Sequence, residues 1–261
     1  METPLLQYKH AHISYNGQTV VKDFSISMKK GEILGIVGES GSGKSTIIKA
    51  AMGLLGESGQ VTEGSIFFKG TDLSQLTSEQ MRQLRGPKMG MIFQNCAASL
   101  CPIRKIGDQL LESLNQHKSI SEAEMISQSL NLMEKINLQD GRRILNSYPF
   151  ELSGGMNQRV GIVMAMMLKP EILFADEPTS ALDVTVQAQV VRELMKMRDQ
   201  YQTSIILVTH NIGVVSYMAD QVAIMYKGKL IEYGRTQEIM KNPKEEYTKK
   251  LLEAVPRICK E

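Results

Sequence analysis

Residues Gly38–Thr46 read GESGSGKST, the spacing G-x-x-x-x-G-K-[ST], directly after the apolar run EILGIVG (Glu32–Gly38) and at the head of a helical pattern. Glycines at this spacing let backbone N–H groups close around phosphate oxygens, and the positive end of the following helix favours the same anion. Lys44 is long enough to reach β- and γ-phosphates, and the Ser45 hydroxyl suits Mg²⁺. The nucleotide-binding set expected from this loop is Gly38, Ser40, Gly41, Ser42, Gly43, Lys44, Ser45 and Thr46. A second apolar run, ILFADE (Ile172–Glu177), ends in two carboxylates. Asp176 at the strand tip can hold Mg²⁺, because hard cations take oxygen ligands. Glu177 is placed to polarise an attacking water. Hydrolysis is expected rather than transfer, since no acceptor-binding element is evident.

A further stretch, ELSGGMNQRVGI (Glu151–Ile162), has a serine and two glycines opening a helix. Exposed N–H groups at a helix start, with a hydroxyl beside them, form an anion cradle. This one has no lysine, and the chain already carries a complete phosphate loop. One chain therefore holds two phosphate-cradling turns, the second incomplete.

The elements that must position these residues are α/β in character. EILGIVG, EILFADE (Glu171–Glu177) and SIILVTH (Ser204–His210) are short apolar runs of the kind found in central strands of a mostly parallel sheet. Helical patterns follow at Ser45–Leu55 and Val184–Gln202, the latter with Val190, Val191, Leu194, Met197 and Tyr201 on one stripe. The stretch up to Lys30 and the piece Gly64–Leu73 read as antiparallel strands, with a turn at Asn16-Gly17. Residues 95–149 are helical in pattern, a block inserted into the α/β core.

Composition narrows the classes. With 30 basic and 28 acidic residues among 261, the net charge of +2 gives no electrostatic case for nucleic acid. Cys96, Cys101 and Cys259 make neither an even framework nor a zinc site and are expected as free thiols. The N-terminal METPLLQYKH lacks the regions of a signal peptide, and the apolar run Val160–Leu168 is too short to span a bilayer. His10 and His12 are expected as surface residues of an edge-like strand.

The order of phosphate loop, Gln94 after MGMIF, LSGGMNQR, ILFADE, SALD and a His ending ILVTH resembles the ABC-type ATP-binding cassette over nearly the whole chain. That resemblance implies a P-loop NTPase (RecA-like) core with a mostly parallel sheet, an N-terminal antiparallel β subdomain and an inserted helical subdomain. The expected division is a single cassette over 1–261, with core at 1–94 and 160–240, helical subdomain at 95–159 and a short tail at 241–261. It also answers the riddle of the second loop. In that family two cassettes face each other head to tail, so Ser153, Gly154, Gly155 and Gln158 would bind the partner's ATP. Tyr15 would stack on adenine or be an ordinary strand aromatic. Gln94 would touch the metal or the water, Asp183 would cross the dimer interface, and His210 would contact the γ-phosphate. The expected ligands are ATP and Mg²⁺, the latter with Ser45, Gln94 and Asp176.

MIFQNCAASLCPIRKIGDQL, YPFELSGGMNQRV, ADEPTSALDVTVQAQVV and NPKEEYTKKLLEAVP are similar to the dipeptide/oligopeptide/nickel importer ATPases. The resemblance implies an energy-coupling subunit at the cytoplasmic face of the membrane. Its expected partners are a paralogous ATP-binding subunit, suggested by Met156, two transmembrane permease subunits and an extracellular substrate-binding protein. Short peptides are the expected cargo, with nickel or a metal chelate as the alternative. A soluble, non-transport ABC ATPase is the reading from a different class. Asn157 stands where an arginine is common, and Cys96 and Cys101 stand where Asp and Asn are common. These two cysteines are expected to serve as crosslinking handles for a docking region at 94–116.

Overall fold

The computed structural model describes residues 3–180 and 182–253. Cys259, the end of the tail and Ala181 of the SALD motif lie outside the described residues. In chain order the elements are β1 (Leu6–Tyr15), β2 (Gln18–Met28), β3 (Ile33–Gly38), α1 (Lys44–Ala51), β4 (Gly59–Phe68), β5 (Thr71–Asp72), α2 (Ser78–Leu84) and β6 (Met89–Ile92). Four helices follow, α3 (Cys96–Ser99), α4 (Ile106–Asn115), α5 (Glu122–Lys135) and α6 (Gly141–Asn146), then α7 (Gly154–Met166), β7 (Ile172–Asp176) and α8 (Val184–Tyr201). The chain closes with β8 (Ser204–Thr209), α9 (Ile212–Met218), β9 (Gln221–Tyr226), β10 (Lys229–Arg235), α10 (Thr236–Lys241) and α11 (Glu246–Glu253).

Two compact units divide these elements: Met1–Met81 with Ser204–Glu261, and Arg82–Thr203. In the first, the strands follow the order β5-β4-β1-β2-β10-β9-β3-β8. β3 runs parallel to both β8 and β9, whereas β1, β2, β4 and β5 pair antiparallel. Every residue of β3 and β8 is buried, as expected for strands whose sequence is apolar without alternation. Asn16 and Gly17, with φ of 49° and 78°, make the two-residue turn that brings Tyr15 opposite Gln18. β9 and β10, an antiparallel pair, did not stand out in the sequence.

Helix α1 is shorter than its apolar pattern. At Gly53, with φ of 62°, the Gly53 amide donates to the Ala50 carbonyl (3.1 Å) and the Leu54 amide to the Lys49 carbonyl (2.8 Å). These two bonds close a Schellman turn that satisfies the last carbonyls. Leu54 and Leu55 therefore continue the hydrophobic run without continuing the helix.

The second unit holds the parallel pair β6–β7, in register from Met89 opposite Ile172 to Ile92 opposite Ala175, together with helices α3–α8. The expected helical block is present at 95–149 with no strand inside it. The compact unit is wider than that block, because β6, β7 and α8 join it. Glu193 of α8, 1% exposed, pairs with Arg159 of α7 at 2.8 Å. The same guanidinium also donates to the Ile136 carbonyl, so one side chain ties α7 to α8 and to the end of α5. No described helix is long and apolar enough to cross a membrane.

Candidate active site

In the first unit the phosphate loop connects the end of β3 to the start of α1. Gly41 and Gly43 adopt φ of 78° and 94°, and Gly43 is the N-cap of α1 with no side-chain hydrogen bond to the first amides. A helix start capped by no side chain leaves its N–H donors to a ligand. The Lys44 ammonium, 5% exposed, donates to the carbonyls of Gly38 (2.8 Å) and Glu39 (2.7 Å). The buried cation is thus held by the loop it belongs to. Ser42, 3% exposed, has its Oγ buried with no hydrogen-bond partner. An orphaned hydroxyl inside this cradle fits a phosphate acceptor. Tyr8 of β1 donates its hydroxyl to the Ile47 carbonyl at 2.9 Å and fixes the first turn of α1 from below.

His210 follows β8 and lines an open cleft of about 730 Å³, together with Glu39, Asn211, Tyr226, Tyr247 and Lys250. Asn211 accepts from the amides of Gly213 (3.0 Å) and Val214 (3.3 Å) and so caps α9, which sets the direction in which the chain leaves His210. Tyr15 is half-buried at the end of β1, its ring against Gly59, where a Cβ would stand 2.7 Å from the ring.

In the second unit β7 delivers Asp176, 6% exposed, and then Glu177. Glu177 sits at φ 45°, a left-handed conformation uncommon for a residue with a side chain. Such strain persists only where neighbours enforce it. Here Ser180 supplies both clamps on the Glu177 carbonyl, from its amide (3.1 Å) and its hydroxyl (3.0 Å). Gln94, which follows β6, donates its side-chain Nε2 to the Glu177 carboxylate at 3.3 Å. Gln94 and Glu177 are therefore brought together, leaving the Gln94 amide oxygen to a further partner. The sequence reading did not anticipate Ser180 as the residue that shapes the turn at Glu177.

The remaining candidates cluster around the second glycine loop. Ser153 is the N-cap of α7 and accepts from the Met156 amide at 3.3 Å. That bond uses an oxygen lone pair and leaves the hydroxyl proton free to be donated. Ser153 and Gly154 are exposed, and nothing lies within 4 Å of a Cβ placed on Gly154. Gln158 differs from its three companions: it is 5% exposed and its Nε2 is buried without a partner, so its side chain is not on the surface of the loop. Asp183 caps α8 by accepting from the amides of Thr185 and Val186, each at 3.0 Å.

Residues 21–180 match the sequence profile described as "ABC transporter". The chain belongs to the ABC transporter family. The dipeptide transport ATP-binding protein of Lactococcus lactis subsp. cremoris is 40% identical to this chain over 262 residues, covering 98% of it and 75% of the relative. The oligopeptide transport ATP-binding protein of Escherichia coli is 43% identical over 240 residues, 92% of this chain and 71% of the relative. Among solved structures, a dimeric ATP-binding cassette in a post-hydrolysis state with ADP and Pi bound aligns with a TM-score of 0.78 at 25% identity, over 88% of this chain and 98% of that one. The cbiO1 protein of Clostridium perfringens, at 24% identity and a TM-score of 0.80 over 92% of each chain, shares the fold. This chain is an ATPase of the family.

Two departures of the cassette from the common pattern now have physical accounts. Asn157, 5% exposed, donates its amide to the carbonyls of Pro149 (2.9 Å) and Leu152 (3.2 Å), which tethers the turn before Ser153. Cys96 is buried against α7, where a Cβ on Gly161 would stand 2.2 Å from its sulfur. Burial pushes its thiol up to about 12. The expectation that Cys96 serves as a crosslinking handle is therefore corrected: a buried, protonated thiol is neither reachable nor nucleophilic. Cys101 is half-buried and remains the usable one.

Mg²⁺ in phosphoryl-transfer sites takes one or two protein oxygens and completes its shell with water and phosphate. The Ser45 hydroxyl, the Asp176 carboxylate and the Gln94 amide oxygen are donors of that kind. Among the described residues no group of three or more His, Cys, Asp and Glu could hold a metal ion.

Proposed function

We propose that this chain is the ATP-hydrolysing, energy-coupling subunit of a membrane importer for short peptides. The observation that carries this reading is the second glycine loop. It is exposed, starts a helix, has no lysine and offers a serine proton, while the complete phosphate loop lies in the other compact unit. A half-site of this kind makes sense only when another subunit brings a nucleotide to it.

In this reading Lys44 and the amides and hydroxyls of Gly38, Ser40, Gly41, Ser42, Gly43, Ser45 and Thr46 bind the phosphates, and Tyr15 stacks on adenine. Ser45, Asp176 and Gln94 would hold Mg²⁺. The bound cation neutralises charge that develops on the phosphate oxygens. Glu177 polarises the attacking water, oriented by the Gln94 amide, and His210 contacts the γ-phosphate. Ser153, Gly154 and Gly155 close on the nucleotide of a paralogous ATP-binding subunit, with Asp183 at that interface. Gln158 supports the loop from inside.

The chain works at the cytoplasmic face of the membrane, beside two permease subunits and an extracellular binding protein. ATP closes the paired cassettes and hydrolysis reopens them, and the motion is relayed to the permeases. The similarity to dipeptide and oligopeptide transport ATP-binding proteins favours peptides over nickel or a metal chelate as cargo.

The deciding experiment reconstitutes the complete transporter in vesicles with its binding protein. ATP-dependent accumulation of labelled di- to pentapeptides is the expected result. ATP turnover that ignores peptide and responds instead to Ni²⁺ or a chelate would reassign the cargo.

A further inference from the structure

The C-terminal helix α11 reaches back to the phosphate loop, although the two are far apart in sequence. The amide of Glu39 donates to the Tyr247 hydroxyl at 3.2 Å. The carbonyl of the same residue accepts from Lys44 at 2.7 Å. One residue of the loop is thus held from both sides, by its own lysine and by a tyrosine of α11.

Tyr247 is well placed to act as a fixed point. Its ring lies on that of Tyr226, with centroids 4.3 Å apart, and Tyr226 ends β9, whose Met225 pairs with Gly38. The start of α11 is anchored separately. The Glu232 carboxylate of β10 accepts from the amides of Lys244 (3.0 Å) and Glu245 (3.3 Å). Partial burial holds the phenol above its ordinary range against the lowering effect of the Glu39 amide hydrogen bond, with smaller upward help from the Glu39 charge and Tyr226, so it stays neutral and keeps its hydrogen at working pH.

Lys44 cannot remain on the Gly38 and Glu39 carbonyls and also give the same hydrogens to a phosphate. When a hydrogen of Lys44 moves from the Glu39 carbonyl to a phosphate, that carbonyl loses a partner while the Glu39 amide keeps Tyr247. We propose that Tyr247 is a positioning residue for nucleotide binding: its hydroxyl holds the Glu39 peptide in place, so the phosphate loop keeps its open shape as Lys44 changes partners. The proposal rests on the reading of Gly38–Thr46 as the nucleotide site. A loop already in its bound shape binds more tightly than one that must be ordered. It also gives the segment NPKEEYTKKLLE a task within the cassette.

The test compares Tyr247→Phe, which removes the hydroxyl and keeps the stacked ring, with Tyr226→Phe and Lys44→Ala, all in the assembled transporter. Tyr247→Phe is expected to raise KM for ATP by about 2- to 10-fold, the range of one neutral hydrogen bond, with kcat unchanged and the thermal midpoint lowered by no more than about 2–4 °C. Amide hydrogen exchange at Glu39 in the nucleotide-free protein is expected to speed up by a similar factor. Tyr226→Phe is expected to change neither. Unchanged KM and exchange in Tyr247→Phe overturn the proposal, as does a loss of kcat in step with thermal stability or an equal effect of Tyr226→Phe. Lys44→Ala separates the two levels. If it abolishes tight binding while Tyr247→Phe has no effect, only the clamp falls. If it leaves binding intact, the nucleotide-site reading falls with it.

Discussion

The phosphate loop and the Ser153 loop are both glycine-rich helix starts, and they solve the same electrostatic problem in opposite ways. At Gly43 the helix has no side-chain cap, a buried lysine lies across the loop, and Ser42 is sequestered. At Ser153 the helix is capped by its own hydroxyl, the loop is exposed, and it contains no lysine. The first is built to take an anion by giving up an internal partner. The second is finished on the inside and has donors left over on the outside. In the proposed reading, that asymmetry is what separates a whole site from half of one.

The sharpest way to break this comparison is at the carboxylate. Glu177→Gln keeps the size of the side chain and removes the charge proposed to polarise water. Loss of a general base costs about 10²–10⁴ in rate, so phosphate release by the assembled transporter is expected to fall by that factor while nucleotide titration is unaltered. Equal turnover in the variant would remove Glu177 from the chemistry.

Lys44→Ala comes next. Removing a charge-assisted hydrogen bond of about 1.5–3 kcal/mol is expected to weaken nucleotide binding by roughly 10- to 100-fold, read by fluorescent-ATP titration. No substitution in the Ser153 loop of an isolated chain should do this. If Ser153→Ala weakened binding to the monomer as strongly, the two loops would not be whole and half.

Ser153 itself sharpens the contrast. Ser153→Ala removes both the cap and the external donor, so stability is expected to fall by about 1 kcal/mol and the ATP-dependent closed pair to weaken. Ser153→Asp keeps a good cap but sets a negative charge against the phosphate. Thermal unfolding should therefore hold for Asp and drop for Ala, while crosslinking of the closed pair should drop for both. A closed pair that tolerates Asp would mean that no phosphate meets this loop.

The smallest effect concerns the far side of α7. With its thiol pushed up to about 12, Cys96 is thiolate in roughly one molecule in ten thousand at pH 8. Iodoacetamide followed by peptide mapping is expected to modify Cys101 and leave Cys96 intact. Rapid labelling of Cys96 would show that α3 opens away from Gly161.

Much of this was legible because it is local. A lysine after spaced glycines, a carboxylate pair after an apolar run and a serine before two glycines each announce themselves within ten residues. The three buried strands did so for the same reason: β3, β7 and β8 are buried throughout and apolar except at Asp176, Ser204 and Thr209. β6 is only four residues long with Gly90 inside it, β9 has a buried run of only four residues, and β10 is half-buried, so their signals are weak. Asp183 and Asn157 also bond the backbone two to eight residues away, a role their residue types alone do not disclose. The hold of Tyr247 on Glu39 spans 208 positions, and no local pattern encodes it. The left-handed backbone at Glu177 belongs to the same class, since Ser180 enforces it only once the turn has formed.

The lysine folded onto its own loop has a consequence for discrimination. The phosphate loop does not present a bare cation to cellular anions, because two of its own carbonyls engage Lys44. Free phosphate or sulfate must compete with those internal ligands and brings nothing else to the contest. A nucleotide offsets the same exchange with contacts from its base, ribose and further phosphates. If the loop takes nucleotide as proposed, the latch sets a threshold against simple anions, and the selectivity resides in how the loop engages its own charge.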